Sequence, residues 1–255
     1  MKITKLKKLS NGKYKIELSN GDKITTYDEV ILKYNLLYKK EIDMSLIKDL
    51  TQDNNYYDNY NKAIKFIGIR FRSTYEITKF LEKKDVSNEH ISKIIKKLSK
   101  IGLLNDERFA KAYISDRINL STSGPNKIRK ELLEHKIDPN LIEDNICKID
   151  DDIVRQKLSK QMKKKIDSNH KYSNYMLKQK LFNYFLKLGY DTMMIEETFQ
   201  SLQKKDNSII EKEYNKIYNR LSKKYKDNEL KMHIKSKLYQ KGFDAGEISD
   251  LLSRL

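Results

Sequence analysis

The chain has 255 residues, 53 Lys and Arg against 36 Asp and Glu, a formal net charge of +17 and one cysteine. A single cysteine excludes an internal disulfide framework and fits a reducing compartment. No apolar run is long enough to cross a membrane and no secretory signal opens the chain, so a soluble cytoplasmic protein without membrane contact is expected. A charge this positive favours a polyanionic partner, although part of the lysine excess accompanies a composition rich in Asn, Ile and Tyr, as in AT-rich genomes.

The first 54 residues differ from the rest. KITKLKKL, KYKIEL and DKITTY alternate apolar and polar residues and predict three strands, with Asn11-Gly12 and Asn20-Gly21 as hairpin turns. Asp28 is expected to cap a short helix, EVILKYNLLY, and Asp43 or Ser45 another, LIKDL. The polar, aromatic stretch from Asn54 to Asn61 reads as a linker or as the start of the next helix.

From Ser73 the chain repeats itself. Ile77, Leu81, Val86, Ile91 and Ile95 mark two amphipathic helices and the turn between them. The same spacing returns in Ile128, Leu132, Ile137, Ile142 and Ile146, in Leu181, Phe185, Tyr190, Ile195 and Phe199, and in Ile234, Leu238, Phe243, Ile248 and Leu252. The sets open at offsets of 51, 53 and 53 residues. A period near fifty is the signature of a stacked array. Marks four apart share a helix face, and the central mark plugs the turn.

The punctuation agrees. Ser73 with Glu76 forms a capping box. Ser87, Asp138, Asp191 and Asp244 stand where the second helix needs its N-cap, with Pro139 at a first helical position. Gly189 and Gly242 precede the plug, where a helix ends in a left-handed residue; Asp85 and Lys136 stand there in the first two repeats, at a cost of roughly 1 kcal/mol each if the backbone is left-handed. A third helix precedes each pair, marked by Ala63, Ile64 and Ile67, by Phe109, Ala110, Tyr113 and Ile114, by Ile153, Val154, Leu158 and Met162, and by Ile210, Tyr214, Ile217 and Leu221.

The expected fold is mainly α: an elongated tandem array of three-helix repeats preceded by a small N-terminal β-hairpin or meander. The expected divisions are 1–54 for the strands and short helices, then repeats at 55–105, 106–150, 151–205 and 206–255.

Candidate contacts with a partner or with DNA are Arg70, Arg72, Lys83, Lys84, Lys127, Arg129 and Lys130. Arg70 and Arg72 offer guanidinium forks for phosphate or carboxylate, or else ion pairs that fix a helix junction. Lys127, Arg129 and Lys130 lie near a helix N-terminus whose free N–H groups attract anions, or else on a solvated face. Cys147 is expected to be a packed or half-buried thiol. His90, His135, His170 and His233 share no ligand spacing. No catalytic residue, cofactor site or metal site is assigned, and no enzyme motif is found.

Several local patterns occur in order between Phe66 and Ile146: Arg70-Phe71-Arg72-Ser73 with Glu76, Leu104-Asn105-Asp106-Glu107-Arg108-Phe109-Ala110, Gly124-Pro125 with Ile128 and Leu132, and Ile137. Together they resemble the RecX family of recombination regulators. The family pattern usually has two acids where Asn105-Asp106 stands and often Gly where Lys136 stands. The resemblance implies non-enzymatic tandem repeats that bind the RecA recombinase filament on DNA and suppress its ATPase and strand exchange in homologous recombination, DNA repair and the SOS response. On that reading the chain is a monomer whose basic surface meets single- and double-stranded DNA. A competing reading is a helix-turn-helix transcription regulator, since residues 77–104 have that pattern; fourfold recurrence counts against it, because one reading head is normally enough.

Overall fold

The computed structural model describes residues 1–202 and 208–254. The chain forms two compact units, Met1–Phe109 and Ala110–Leu255.

The first unit opens with an antiparallel meander of β1 (Ile3–Lys8), β2 (Tyr14–Leu18) and β3 (Lys23–Thr26), with β2 in the centre. Gly12 and Gly21 close its two hairpins at φ of 81° and 90°, a conformation glycine adopts without a Cβ clash. One sheet face contributes Ile16 and Leu18 to a core completed by Val30, Ile31, Leu36, Ile42, Leu46 and Leu50. Helix α1 (Asp28–Lys33) is shorter than its sequence suggests. Its N-cap is Tyr27 rather than Asp28, and the left-handed Asn35, at φ 53°, stands just beyond its end.

Helix α2 (Met44–Ile67) corrects a second expectation. Asp43 caps it, accepting a hydrogen bond from the Leu46 N–H. It then runs 24 residues without a break, through the boundary expected at 54/55. Two of the polar residues that suggested a linker find partners outside the helix. Thr26 Oγ1 donates to Asn54 Oδ1 at 2.7 Å, and the Tyr27 hydroxyl donates to Asp58 Oδ1 at 2.8 Å. The tyrosines pack: Tyr56 stacks on Tyr60 at 6.4 Å, and Tyr57 lies 6.0 Å from Tyr27. Tyr60 and Ala63 of α2 then close a second core with Ile77 and Leu81 of α3 (Thr74–Glu82), Ile91, Ile94 and Leu98 of α4 (Asn88–Lys100), and Leu104.

Helix α5 (Asp106–Leu120) leads from the first unit into the second. There follow α6 (Pro125–Glu134), α7 (Pro139–Ile146), α8 (Asp151–Asp167), α9 (Asn174–Lys187), α10 (Thr192–Leu202), α11 (Ser208–Leu221), α12 (Asp227–Gln240) and α13 (Ala245–Ser253). The helices fall into triplets, the tandem three-helix repeats of the sequence reading. The division expected at 205/206 lies outside the described residues.

The apolar quintets are the cores of these hairpins. All five marks are buried in the second and third sets. In the first set Ile94 and Leu98 are buried where Ile95 is only half-buried, and in the fourth Leu251 takes the place of Leu252. Full burial of one such side chain contributes roughly 1.5–3 kcal/mol, which holds helices too short to stand alone. Ser87, Asp138, Asp191 and Asp244 all accept the N-cap hydrogen bonds expected of them. The turn residue is left-handed in all four hairpins: Asp85 at φ 56°, Lys136 at 58°, Gly189 at 83° and Gly242 at 81°.

Within the second unit, consecutive repeats dock through these turns. The Gly124 N–H donates to Leu188 O at 2.7 Å, and the Asn126 N–H to Gly189 O at 3.0 Å. A Cβ on Gly189 would come within 2.2 Å of the Lys127 nitrogen, so backbone lies directly on backbone. The next junction repeats the arrangement. Ser173, the N-cap of α9, donates its hydroxyl to Lys241 O at 3.1 Å, and a Cβ on Gly242 would meet Met176 Cγ at 2.7 Å. Met176 follows its N-cap by the same three residues that separate Lys127 from Gly124. The turn of each later repeat thus sits on the first turn of the middle helix of the repeat before it.

Candidate functional site

Arg70 and Arg72 converge on one carboxylate. Arg70 Nη2 lies 2.5 Å and Arg72 Nη1 3.2 Å from Glu76 Oε1, while Glu76 Oε2 accepts from the Ser73 N–H at 3.2 Å. Arg72 also donates to Phe66 O at 3.4 Å, and its guanidinium lies 3.8 Å above the Phe66 ring. Phe66 in turn stacks on Phe80 at 4.3 Å. Burial pushes the Glu76 carboxyl up, but the hydrogen bonds from Arg70 and Ser73 and the charge of Arg70 outweigh it and hold the group below the usual glutamate range. The geometry is that of a clamp on the α2–α3 junction. The Arg72 side chain keeps 11% of its exposure, against 49% for Arg70. Lys83 and Lys84 close α3 on the exposed surface, with Lys84 Nζ 5.1 Å from the Phe80 ring.

The basic residues at the start of α6 part company. Lys127 and Lys130 line a cleft of about 380 Å³ with Lys187, Glu131 and Glu134. Arg129 turns to α7, where its fork grips Glu143 at 2.5 and 3.0 Å and also reaches Asn126. The anion attraction expected at this helix N-terminus meets an obstacle: Pro125 has no N–H, and the Asn126 N–H is taken by Gly189 of the next repeat.

A second cleft, of about 610 Å³, lies along α8 and α10. Arg155, Gln156, Ser159, Lys160 and Lys163 line it from α8, and Glu197, Thr198 and Ser201 from α10. Arg155 spans it to Glu197 at 2.6 Å. The facing acid and hydroxyls come from a helix some forty residues later and leave no local signal in the sequence.

The second repeat is tied by a polar network. The Tyr113 hydroxyl donates to Glu131 Oε2 at 2.9 Å and accepts from Arg117 Nη2 at 2.8 Å, and Arg117 Nε lies 3.0 Å from Glu131. Lys157 of α8 donates to the carbonyls of Arg117 at 3.0 Å and Ser123 at 2.9 Å, and burial lowers its pKa. In the third repeat the plug residue Tyr190 accepts from Gln161 at 3.2 Å, and burial pushes its phenol up to about 12.

Residues 105–144 match the family model described as RecX, second three-helix domain. The whole chain aligns with the regulatory protein RecX of Oceanobacillus iheyensis, at 29% identity over 99% of this chain and 96% of that one. It also aligns with the regulatory protein RecX of Streptococcus uberis, at 26% identity over the full length of both. Over its whole length the chain is similar to proteins of the RecX family. Two solved RecX structures share its architecture. One has a TM-score of 0.66 at 21% identity and covers 76% of this chain and 97% of that one. The other, from Lactobacillus salivarius, has a TM-score of 0.55 at 26% identity and covers 59% and 97%.

The segment that matches the RecX model holds the Asn105 cap of α5, the Tyr113–Arg117–Glu131 network, Gly124 and the Arg129–Glu143 fork. Asn105 Oδ1 accepts from the Arg108 N–H at 2.9 Å. Asp106 reaches back to the Thr74 N–H at 2.7 Å and so caps α3 of the preceding repeat. Among the described residues no three His, Cys, Asp or Glu side chains are placed to share a metal ion, and no helix is long and apolar enough to cross a membrane. Cys147 corrects the sequence reading: it is exposed, because α7 ends at Ile146 and the thiol sits on the C-cap residue.

Proposed function

We propose that this chain regulates homologous recombination by binding the RecA filament on DNA and lowering its ATPase and strand exchange. The observation that carries the reading is the match of the whole chain to proteins named regulatory protein RecX. The net charge of +17 supports it, since a filament on nucleic acid is polyanionic. Docked repeats support it as well: a surface built from several copies of one module suits a partner that is itself periodic. A regulator of this kind favours one filament state over others and slows turnover without chemistry of its own. It acts as a cytoplasmic monomer, on filaments over single- or double-stranded DNA. Lys83, Lys84, Lys127 and Lys130 are the proposed contacts among the basic residues, while Arg70, Arg72 and Arg129 hold the modules in shape.

The helix-turn-helix reading loses ground on one observation. The hairpin of residues 77–104 is one of four copies of the same module, and one reading head is normally enough. The test of the proposal is a titration of RecA ATPase on single-stranded DNA. The rate is expected to fall to a plateau as the chain saturates the filament, and an unchanged rate at saturation would remove the reading.

A further inference from the structure

The strand register sorts four lysines of the meander onto one surface. Lys7 pairs with Lys15, Lys5 with Glu17, and Glu17 with Lys23; Lys15 pairs with Thr25. Successive residues of a strand point to opposite faces. The face with Leu6, Ile16 and Ile24 belongs to the core. The other face therefore carries Lys5, Lys7, Lys15, Glu17, Lys23 and Thr25, and none of these six is buried.

Four ammonium groups and one carboxylate share this face of the sheet. Along a strand they repeat at about 6.6–6.8 Å, and between strands at about 4.8 Å. Glu17 is paired within its own strand, 3.4 Å from Lys15. Among the described residues no carboxylate pairs with Lys5, Lys7 or Lys23. Lys7 directly opposite Lys15 is a like-charge cross-strand pair, an arrangement that costs stability in the free protein. A bound polyanion would relieve it.

We propose that this outer sheet face binds the phosphodiester backbone of nucleic acid. The face has no apolar or aromatic residue. A protein partner would need buried anchors of that kind, and interface cores are depleted in lysine. A membrane surface would need apolar side chains to insert. Lysine ammonium groups on long stems meet phosphates as point charges without reading sequence, and the Thr25 hydroxyl adds a donor for phosphate oxygen. The inference rests on the reading of the chain as a regulator of a DNA-bound filament, to which it adds the surface that holds the DNA.

The test uses the full-length chain, labelled oligothymidylate and no recombinase, with affinity measured across a salt series. The double variant Lys7→Thr with Lys15→Thr should bind roughly tenfold more weakly at low salt. Its slope of log affinity on log salt should be shallower by about 1.4, or 0.7 for each lost phosphate contact. Its melting temperature should be unchanged or raised, because the like-charge pair is gone. The pair Lys223→Gln with Lys224→Gln removes the same charge elsewhere and should change the slope much less. The proposal is overturned if both variants weaken binding equally, if the sheet variant binds as the parent does, or if the parent binds no DNA. If the sheet variant keeps its DNA affinity but loses the filament, the face meets protein and the proposal is likewise overturned. The recombinase titration is independent: an unaffected ATPase alongside a reduced salt slope removes the regulatory reading and leaves the sheet surface standing.

Discussion

A Cβ on Gly124 would stand 2.6 Å from the carbonyl oxygen of Gly189. Neither residue is near the other in sequence, yet the two repeats they belong to meet backbone to backbone at this point. Gly189→Ala places a methyl against Lys127 and also strains a residue at φ 83°. The two effects together should cost on the order of 2–4 kcal/mol. Urea denaturation followed by circular dichroism should show the second unit melting earlier. A midpoint equal to the parent's would mean that the junction yields freely.

Asp85 and Lys136 occupy the same left-handed turn position without glycine. Asp85→Gly and Lys136→Gly should each raise stability, by about 0.5–1 kcal/mol after the greater freedom of glycine in the unfolded chain is subtracted. The gain should appear as a higher denaturation midpoint with unchanged slope. A loss would show that the aspartate or lysine side chain makes contacts worth more than the strain.

The Glu76 clamp has a pH signature. Its folded carboxyl lies below the usual glutamate value. Its stabilising contribution is therefore complete above that usual value and is lost as pH falls through the folded one. Glu76→Gln should flatten this part of the acid limb of the stability profile. Near neutral pH the variant should be less stable than the parent, and the gap should close as the solution is acidified. A gap that persists undiminished in acid would mean that packing, and not charge, holds the junction.

Lys157 bridges two carbonyl oxygens at the end of the second repeat's first helix. Lys157→Met keeps the length of the side chain but leaves both acceptors without this donor, at a cost of about 1–3 kcal/mol. Amide hydrogen exchange should rise around Arg117 to Ser123, and exchange in the N-terminal sheet should not change. Equal exchange at both places would show that the bridge contributes little.

The features legible in the sequence were the local ones. A capping box, an N-cap four residues before an apolar mark and a left-handed turn are each fixed by a handful of neighbouring residues, and the structure has them at Ser73, Asp138, Asp191 and Asp244. The apolar spacing identified the hairpin cores but missed the one-residue shift that buries Ile94 and Leu98 in α4. The unbroken α2 was hidden because Asn54 and Asp58 find partners in Thr26 and Tyr27, outside their own helix. The basic candidates divided for a similar reason. Arg72 and Arg129 were recognisable as arginines near helix starts, but the carboxylates that occupy them, Glu76 and Glu143, are a matter of side-chain direction. The sheet lysines alternate along each strand, but their gathering on one face depends on the cross-strand register, which no single strand encodes.

Helix α2 lends Leu46 and Leu50 to one core and Tyr60 and Ala63 to the next. One stiff rod of 24 residues therefore serves as a common axle. Torque applied to the meander is delivered at the far end as a rotation of Tyr60 against Ile77 and Leu81, with no hinge between to absorb it. Whatever grips the strands also has its hand on the first of the repeats.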